Sequence, residues 1–245
     1  MPSFRRIALL AVAAPFALAA CGESADDALP TGEPLAPITA PAGTSWVEAA
    51  ATTPEGGVVI GNPNAPIKLV EYASHTCGAC AAFSTSAAGP LDEYVAKGTV
   101  SYEIRNQVHN PVDLTLAALM RCGEPSAFHP LANQVWANLP AVMARVQQDP
   151  AALEAAMRVP EAQRFQQIAE AAGLLDFFAA RGVSRDQAMQ CLANVDQVRK
   201  IAENSETQSA ELNVTGTPTF FLNGKLVQGT AWTDIEPALQ AAGAR

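Results

Sequence analysis

The chain has 245 residues, 49% of them hydrophobic and 16% charged, with a formal net charge of −9. That is enough apolar material for one full core plus an insertion, and it excludes global disorder; 16 Gly and 18 Pro exclude a collagen-like repeat. The balance of 24 Asp+Glu against 15 Lys+Arg argues against nucleic acid, whose recognition needs clustered basic residues.

Residues 1–20 read as an export signal. Met1 to Arg6 supplies positive charge, Ile7 to Phe16 an apolar stretch, and Leu18-Ala19-Ala20 small residues suited to a peptidase. The apolar run Ile7 to Ala20 has 14 residues and is broken by Pro15, too short for a span of ~20. Leu18-Ala19-Ala20-Cys21 resembles a bacterial lipobox. The resemblance implies cleavage before Cys21, acylation of that cysteine and a lipid-anchored chain in the cell envelope facing the periplasm, at the inner or the outer membrane. An ordinary secretory signal with an incidental Cys21 is the alternative. Either way the remaining cysteines meet an oxidising compartment. Residues 22–43 hold four prolines and three glycines with little apolar bulk, so 21–43 read as a flexible stalk.

A core segment is expected over residues 44–111. Ser45 to Ala51 and Gly57 to Ile60 are candidate strands of a hairpin. Ile67, Leu69, Val70, Tyr72 and Ala73 predict a buried strand ending near Ser74. Ala79 to Ser86 predicts a helix, kinked or interrupted at Gly89-Pro90 and resumed from Leu91 to Ala96. Gly98 stops it, and Val100, Tyr102 and Ile104 alternate with polar residues in a second strand. Strand, helix and strand in this order predict a right-handed βαβ unit with parallel pairing.

The sequence Cys77-Gly78-Ala79-Cys80 falls at the start of that helix. There the unpaired N–H groups and the macrodipole stabilise an anion, so Cys77 is the candidate nucleophilic thiolate and Cys80, one turn in, the resolving thiol. A structural zinc site wants four ligands, often two Cys pairs, and haem attachment wants His where Ala81 stands. No metal or organic cofactor is therefore expected. His75 is a candidate cation favouring the thiolate, or a solvated loop residue. His109 and His129 show no metal-ligand spacing. Four cysteines beyond Cys21 permit three pairings, among which sequence alone does not choose. With Cys77 and Cys80 within one turn, Cys122 and Cys191 most economically pair with each other, two buried free thiols being the alternative.

Residues 112–211 read as almost wholly helical. Asp113 is a candidate N-cap for a helix opening at Leu114, and further helices are predicted at 127–147, 150–157, 161–171, 174–180, 184–192 and 195–211. Trp136, Leu139, Val142, Met143 and Val146 form a stripe with core periodicity. The core resumes over 212–245, with a strand Thr219 to Leu222, a tight Asn223-Gly224 turn, an antiparallel return to Gln228, and a helix Thr233 to Ala242.

A Cys-x-x-Cys at a strand–helix junction, followed after a long helical stretch by Val214-Thr-Gly-Thr-Pro-Thr-Phe-Phe-Leu-Asn-Gly224, resembles the DsbA-like branch of the thioredoxin superfamily. The resemblance implies an α/β thioredoxin-like fold with an inserted helical domain. It implies that Pro218 is cis and faces Cys77 and Cys80, and that the peptide group at Thr217 offers main-chain hydrogen bonds to an extended client. Glu71, six residues before Cys77, matches the buried acid common in thioredoxin-like proteins. It is a candidate proton relay for Cys80, with a solvent-facing or ion-paired side chain as the alternative. The expected function is that of a membrane-tethered thiol–disulfide oxidoreductase acting on exported protein thiols and disulfides. A separate redox partner would recycle it, oxidase is favoured over reductase, and a monomer is expected. A disulfide isomerase, or a non-enzymatic envelope lipoprotein with a structural disulfide, are the rivals.

Overall fold

The computed structural model describes residues 28–245; the signal-like segment, Cys21 and the start of the stalk lie outside the described residues. A six-stranded sheet forms the centre. Its strands are β1 (Ala50–Thr52), β2 (Val58–Gly61), β3 (Ile67–Ala73), β4 (Val100–Asn106), β5 (Thr219–Leu222) and β6 (Lys225–Val227), in the spatial order β1-β2-β4-β3-β5-β6. Only β3 and β4 pair in parallel; every other neighbour is antiparallel. The β3–β4 pair is the predicted βαβ unit, with α1 (Gly78–Ala96) as its crossover. On β3 the side chains of Ile67, Leu69, Glu71 and Ala73 face one way and are buried.

Asn223 and Gly224 both take positive φ, as the tight β5–β6 turn demands, and Asn223 Oδ1 also accepts the Lys68 N–H at 2.7 Å. Helix α1 runs unbroken through Pro90, contrary to the expected interruption. Ser86, Gly89 and Pro90 lie on its exposed face, so the carbonyl that loses its partner to proline turns to water. A second proline behaves differently. The expected helix 127–147 is split into α3 (Phe128–Ala137) and α4 (Leu139–Val146), because Pro140 occupies the first turn of the latter.

The helical segment comprises α2 (Pro111–Leu119), α3, α4, α5 (Pro150–Arg158), α6 (Glu161–Ala171), α7 (Leu174–Ala179), α8 (Arg185–Leu192) and α9 (Val195–Glu211). Its apolar stripe is core: Trp136, Leu139, Val142 and Val146 are buried, with Met143 packed against them. Cys122, just beyond α2, and Cys191 on α8 form a disulfide with Cα atoms 5.6 Å apart.

The stalk expectation needs correction over its described part. Gly32 N–H donates to Ala241 O, Leu35 N–H to Gly243 O and Ile38 N–H to Lys97 O. Leu29 and Leu35 pack on the core, and Trp46 Nε1 closes on Ile38 O at 2.7 Å. This strap is held by borrowed partners, the backbone ends of α1 and of α10 (Trp232–Ala241), which its own composition did not disclose. Among the described residues no helix is long and apolar enough to cross a membrane.

Candidate active site

Cys77 is the N-cap of α1, with extended backbone (φ −89°, ψ 123°), at the carboxyl end of β3. Its sulfur is half-buried and lies 3.3 Å from the carbonyl oxygen of Thr217, whose peptide bond to Pro218 is cis. Sheet pairing of β5 against β3 brings the loop 214–218 there from 140 residues away. Partial burial opposes ionisation of the Cys77 thiol. Hydrogen bonding at Thr217, the Cys80 N–H and thiol and the Ala79 N–H outweigh it, so its pKa lies below the ordinary value. Cys80 has no solvent exposure, and burial, followed by the charge of Glu71, drives its pKa far above the ordinary value. Both cysteines are free thiols. Two thiols one turn apart thus differ sharply in acidity, the asymmetry that disulfide exchange through one attacking and one resolving sulfur requires.

Glu71 is buried among the core side chains of β3. Desolvation lifts its pKa to about 8, against a lowering hydrogen bond from the Tyr102 hydroxyl. The other carboxylate oxygen, Oε1, has no partner.

His75 does not supply a cation. It is fully buried, packed between Trp136 and Phe128 at ring-centroid distances of 5.1 and 6.1 Å. Burial, and secondarily the Arg121 charge, push its pKa down to about 3. Its Nε2 lies 2.9 Å from the Asn106 amide, so the ring is neutral and serves to pack the loop. The expectation failed because α3, more than 50 residues later, folds over the 74–76 loop; Trp136 Nε1 also donates to Ser74 O at 3.1 Å.

One residue, Asp113, matters in a role other than the one sequence reasoning gave it. The N-cap of α2 is Asn110, whose Oδ1 accepts the Asp113 N–H at 2.9 Å. Asp113 instead buries its carboxylate and accepts from Ser74 Oγ at 2.7 Å, His75 N–H at 2.8 Å and His109 N–H at 2.9 Å. It ties the loop preceding Cys77 to the loop preceding α2. His109 in turn reaches within 3.3 Å of Thr217 Oγ1. An acid beside Pro111 was the available signal, and a capping role accounted for it equally well. Next to His109 a cavity of about 310 Å3 is lined by Val108, Pro111, Leu114, Met157 and Phe165, with Arg164 at its edge. Among the described residues no group of three His, Cys, Asp or Glu is placed to hold a metal ion.

A thioredoxin family model matches residues 53–241. Among solved structures, a protein-disulfide isomerase from Novosphingobium aromaticivorans superposes with a TM-score of 0.71 at 32% identity, covering 76% of this chain and 96% of that one. Wolbachia pipientis alpha-DsbA1 superposes with a TM-score of 0.59 at 20% identity, over 76% of this chain and 90% of that one, a likeness of fold. A Rickettsia conorii protein assigned as a protein-disulfide oxidoreductase is 26% identical over 172 residues, 69% of this chain and 54% of that protein. A Rickettsia typhi protein of the same assignment is 25% identical over 76% of this chain and 61% of its own length. The chain thus spans between about half and two thirds of these curated relatives. With this match, this sheet and this inserted helical layer, the chain belongs to the thioredoxin family.

Proposed function

We propose that the protein is a membrane-tethered thiol–disulfide oxidoreductase that exchanges disulfides with exported proteins through Cys77 and Cys80. The observation carrying this reading is the half-buried, acidified Cys77 thiol set 3.3 Å from the Thr217 carbonyl, with a buried, hard-to-ionise Cys80 one turn behind it. A client thiolate attacks Cys77 of the disulfide form, and the client sulfur joins it in a mixed disulfide. Cys80 leaves and takes up a proton. A second client thiol then releases the oxidised client and leaves Cys77 reduced. Glu71, whose charge reaches Cys80, supplies and receives the Cys80 proton. The Thr217 backbone holds the client chain beside the thiol, and the cavity next to His109 accepts its apolar side chains.

The lipobox-like sequence ending at Cys21 supports acylation there and attachment to an envelope membrane. Oxidase is the favoured direction. The intervening Gly78-Ala79 carries no His or Pro to stabilise the reduced form further, so the couple is expected to be less oxidising than the ~−120 mV of the strongest oxidants. Measuring the Cys77–Cys80 potential together with iodoacetamide kinetics tests the reading. A Cys77 thiol with ordinary acidity overturns it, and a potential near −120 mV overturns the comparison of strengths. Isomerase activity is a second reading, favoured by the name of the Novosphingobium relative. Refolding of a substrate with scrambled disulfides distinguishes it.

A further inference from the structure

A buried group that passes protons must reach water, and Glu71 has no solvent exposure. Its Oε2 receives the hydroxyl of Tyr102, which sits on β4 between Ile60 of β2 and Leu69 of β3 and retains 7% exposure. Tyr102 also borders a narrow cavity of about 20 Å3 between α1, α3 and the sheet, room for one water. The cavity wall is partly polar. Ser84 Oγ donates to Asn133 Oδ1 at 2.9 Å, and His129 donates through Nε2 to Val58 O at 2.8 Å. Burial holds the His129 ring neutral, so its Nδ1 is left as an acceptor. Asp92, exposed, stands at the mouth with half-buried Ala88 and Asn133.

We propose that Tyr102 and this crevice are the proton exit of Glu71, joining the buried carboxyl to solvent beside Asp92. The inference rests on the reading that Glu71 serves Cys80. When a client thiolate opens the Cys77–Cys80 bond, its sulfur bonds to Cys77 and the electron pair of the broken bond stays on Cys80. Cys80 takes the proton of the Glu71 carboxyl. Tyr102 passes its hydroxyl proton to Glu71 and takes one from crevice water, which in turn recovers a proton from bulk solvent. When the disulfide re-forms, the Cys80 proton leaves by the same path. Tyr102 is a positioning residue, acting through Glu71. The titratable groups around this path are Cys80 and Asp92 on α1, Tyr102 on β4 and His129 on α3.

The test uses the full chain with Cys21→Ser, loaded at Cys77 with 2-nitro-5-thiobenzoate, and reads release of the chromophore by Cys80 across roughly pH 5 to 9. Tyr102→Phe should slow release about tenfold or more near neutrality. It should also move the rise of rate with pH upward, because Glu71 loses its hydrogen bond; a packing role alone would not produce that shift. Ala88→Leu, which plugs the mouth without touching Glu71, should slow release as well, and it decides the matter should Tyr102→Phe fail to fold. A native rate in Ala88→Leu overturns the exit. So does a native rate and profile in Tyr102→Phe. Glu71→Gln separates the two readings: if it alone is slow, Glu71 keeps its role and the exit is wrong, whereas a native rate in Glu71→Gln removes the relay itself.

Discussion

With His75 buried and neutral, the Cys77 anion is held by hydrogen bonds at the start of α1 and at Thr217 rather than by a cationic side chain. Replacing His75 with Gln should therefore leave the pH midpoint of Cys77 alkylation unmoved, whereas a rise would restore a charge role for the ring. Glu71 carries a linkage prediction. Its folded pKa of about 8 exceeds its unfolded value of 4.5, so between those values the native state binds more protons than the unfolded state. Stability from this residue is intact below pH 4.5 and is lost as pH rises toward about 8. The loss is at most about 5 kcal/mol. His75 and His129, buried neutral, slope the opposite way below pH 6.5. Urea melts of wild type and Glu71→Gln, compared pH by pH, isolate the carboxyl: the wild type should lose stability relative to the variant across that window. Sequence exposed Cys77, Cys80 and Glu71 because their signals are local, a spacing or an acid inside an apolar strand. The roles of His75 and Asp113 were hidden because their partners, Trp136 and Phe128 for one and Ser74 and the His75 N–H for the other, meet them only through the fold.

At the level of elements, period and punctuation predicted the βαβ unit, the β5–β6 turn and the limits of α6 and α9. They misjudged Pro90 and Pro140, since a proline's effect depends on whether the freed carbonyl meets solvent and on where a helix turn begins, neither of which is written locally. The Cys122–Cys191 bond closes a separation of 69 residues and links the end of α2 to α8. Changing both to Ala should cost about 4 kcal/mol in the chain-entropy account. The Cys77 acidity should be untouched, because none of its hydrogen bonds comes from those helices. Denaturant midpoints and alkylation rates on the same variant check both halves of that statement.

Across the whole molecule the strap is the least expected feature. Gly98 sits at φ +71°, and a Cβ there would collide with the Ile38 carbonyl and the Trp46 indole. Gly98→Ala should therefore lower stability by about 1–3 kcal/mol, read as a drop in melting temperature. A chain beginning at Thr44 already lacks the Ile38 contact and should lose less from the same change. Equal losses in the two backgrounds would mean that the strap does not press on this glycine.

The strap also gives the molecule a polarity. It crosses the last turn of α1 at Lys97, and Ala28 lines one large cavity with Gly224 of the β5–β6 turn, at the end of the sheet away from Cys77. Nineteen helical residues, about 28 Å, separate that pole from the reactive sulfur. A hold on residue 28 therefore acts at that pole, away from Cys77. A pull on residue 28 is taken up by the backbone bonds of Gly32, Leu35 and Ile38 before it reaches the chemistry.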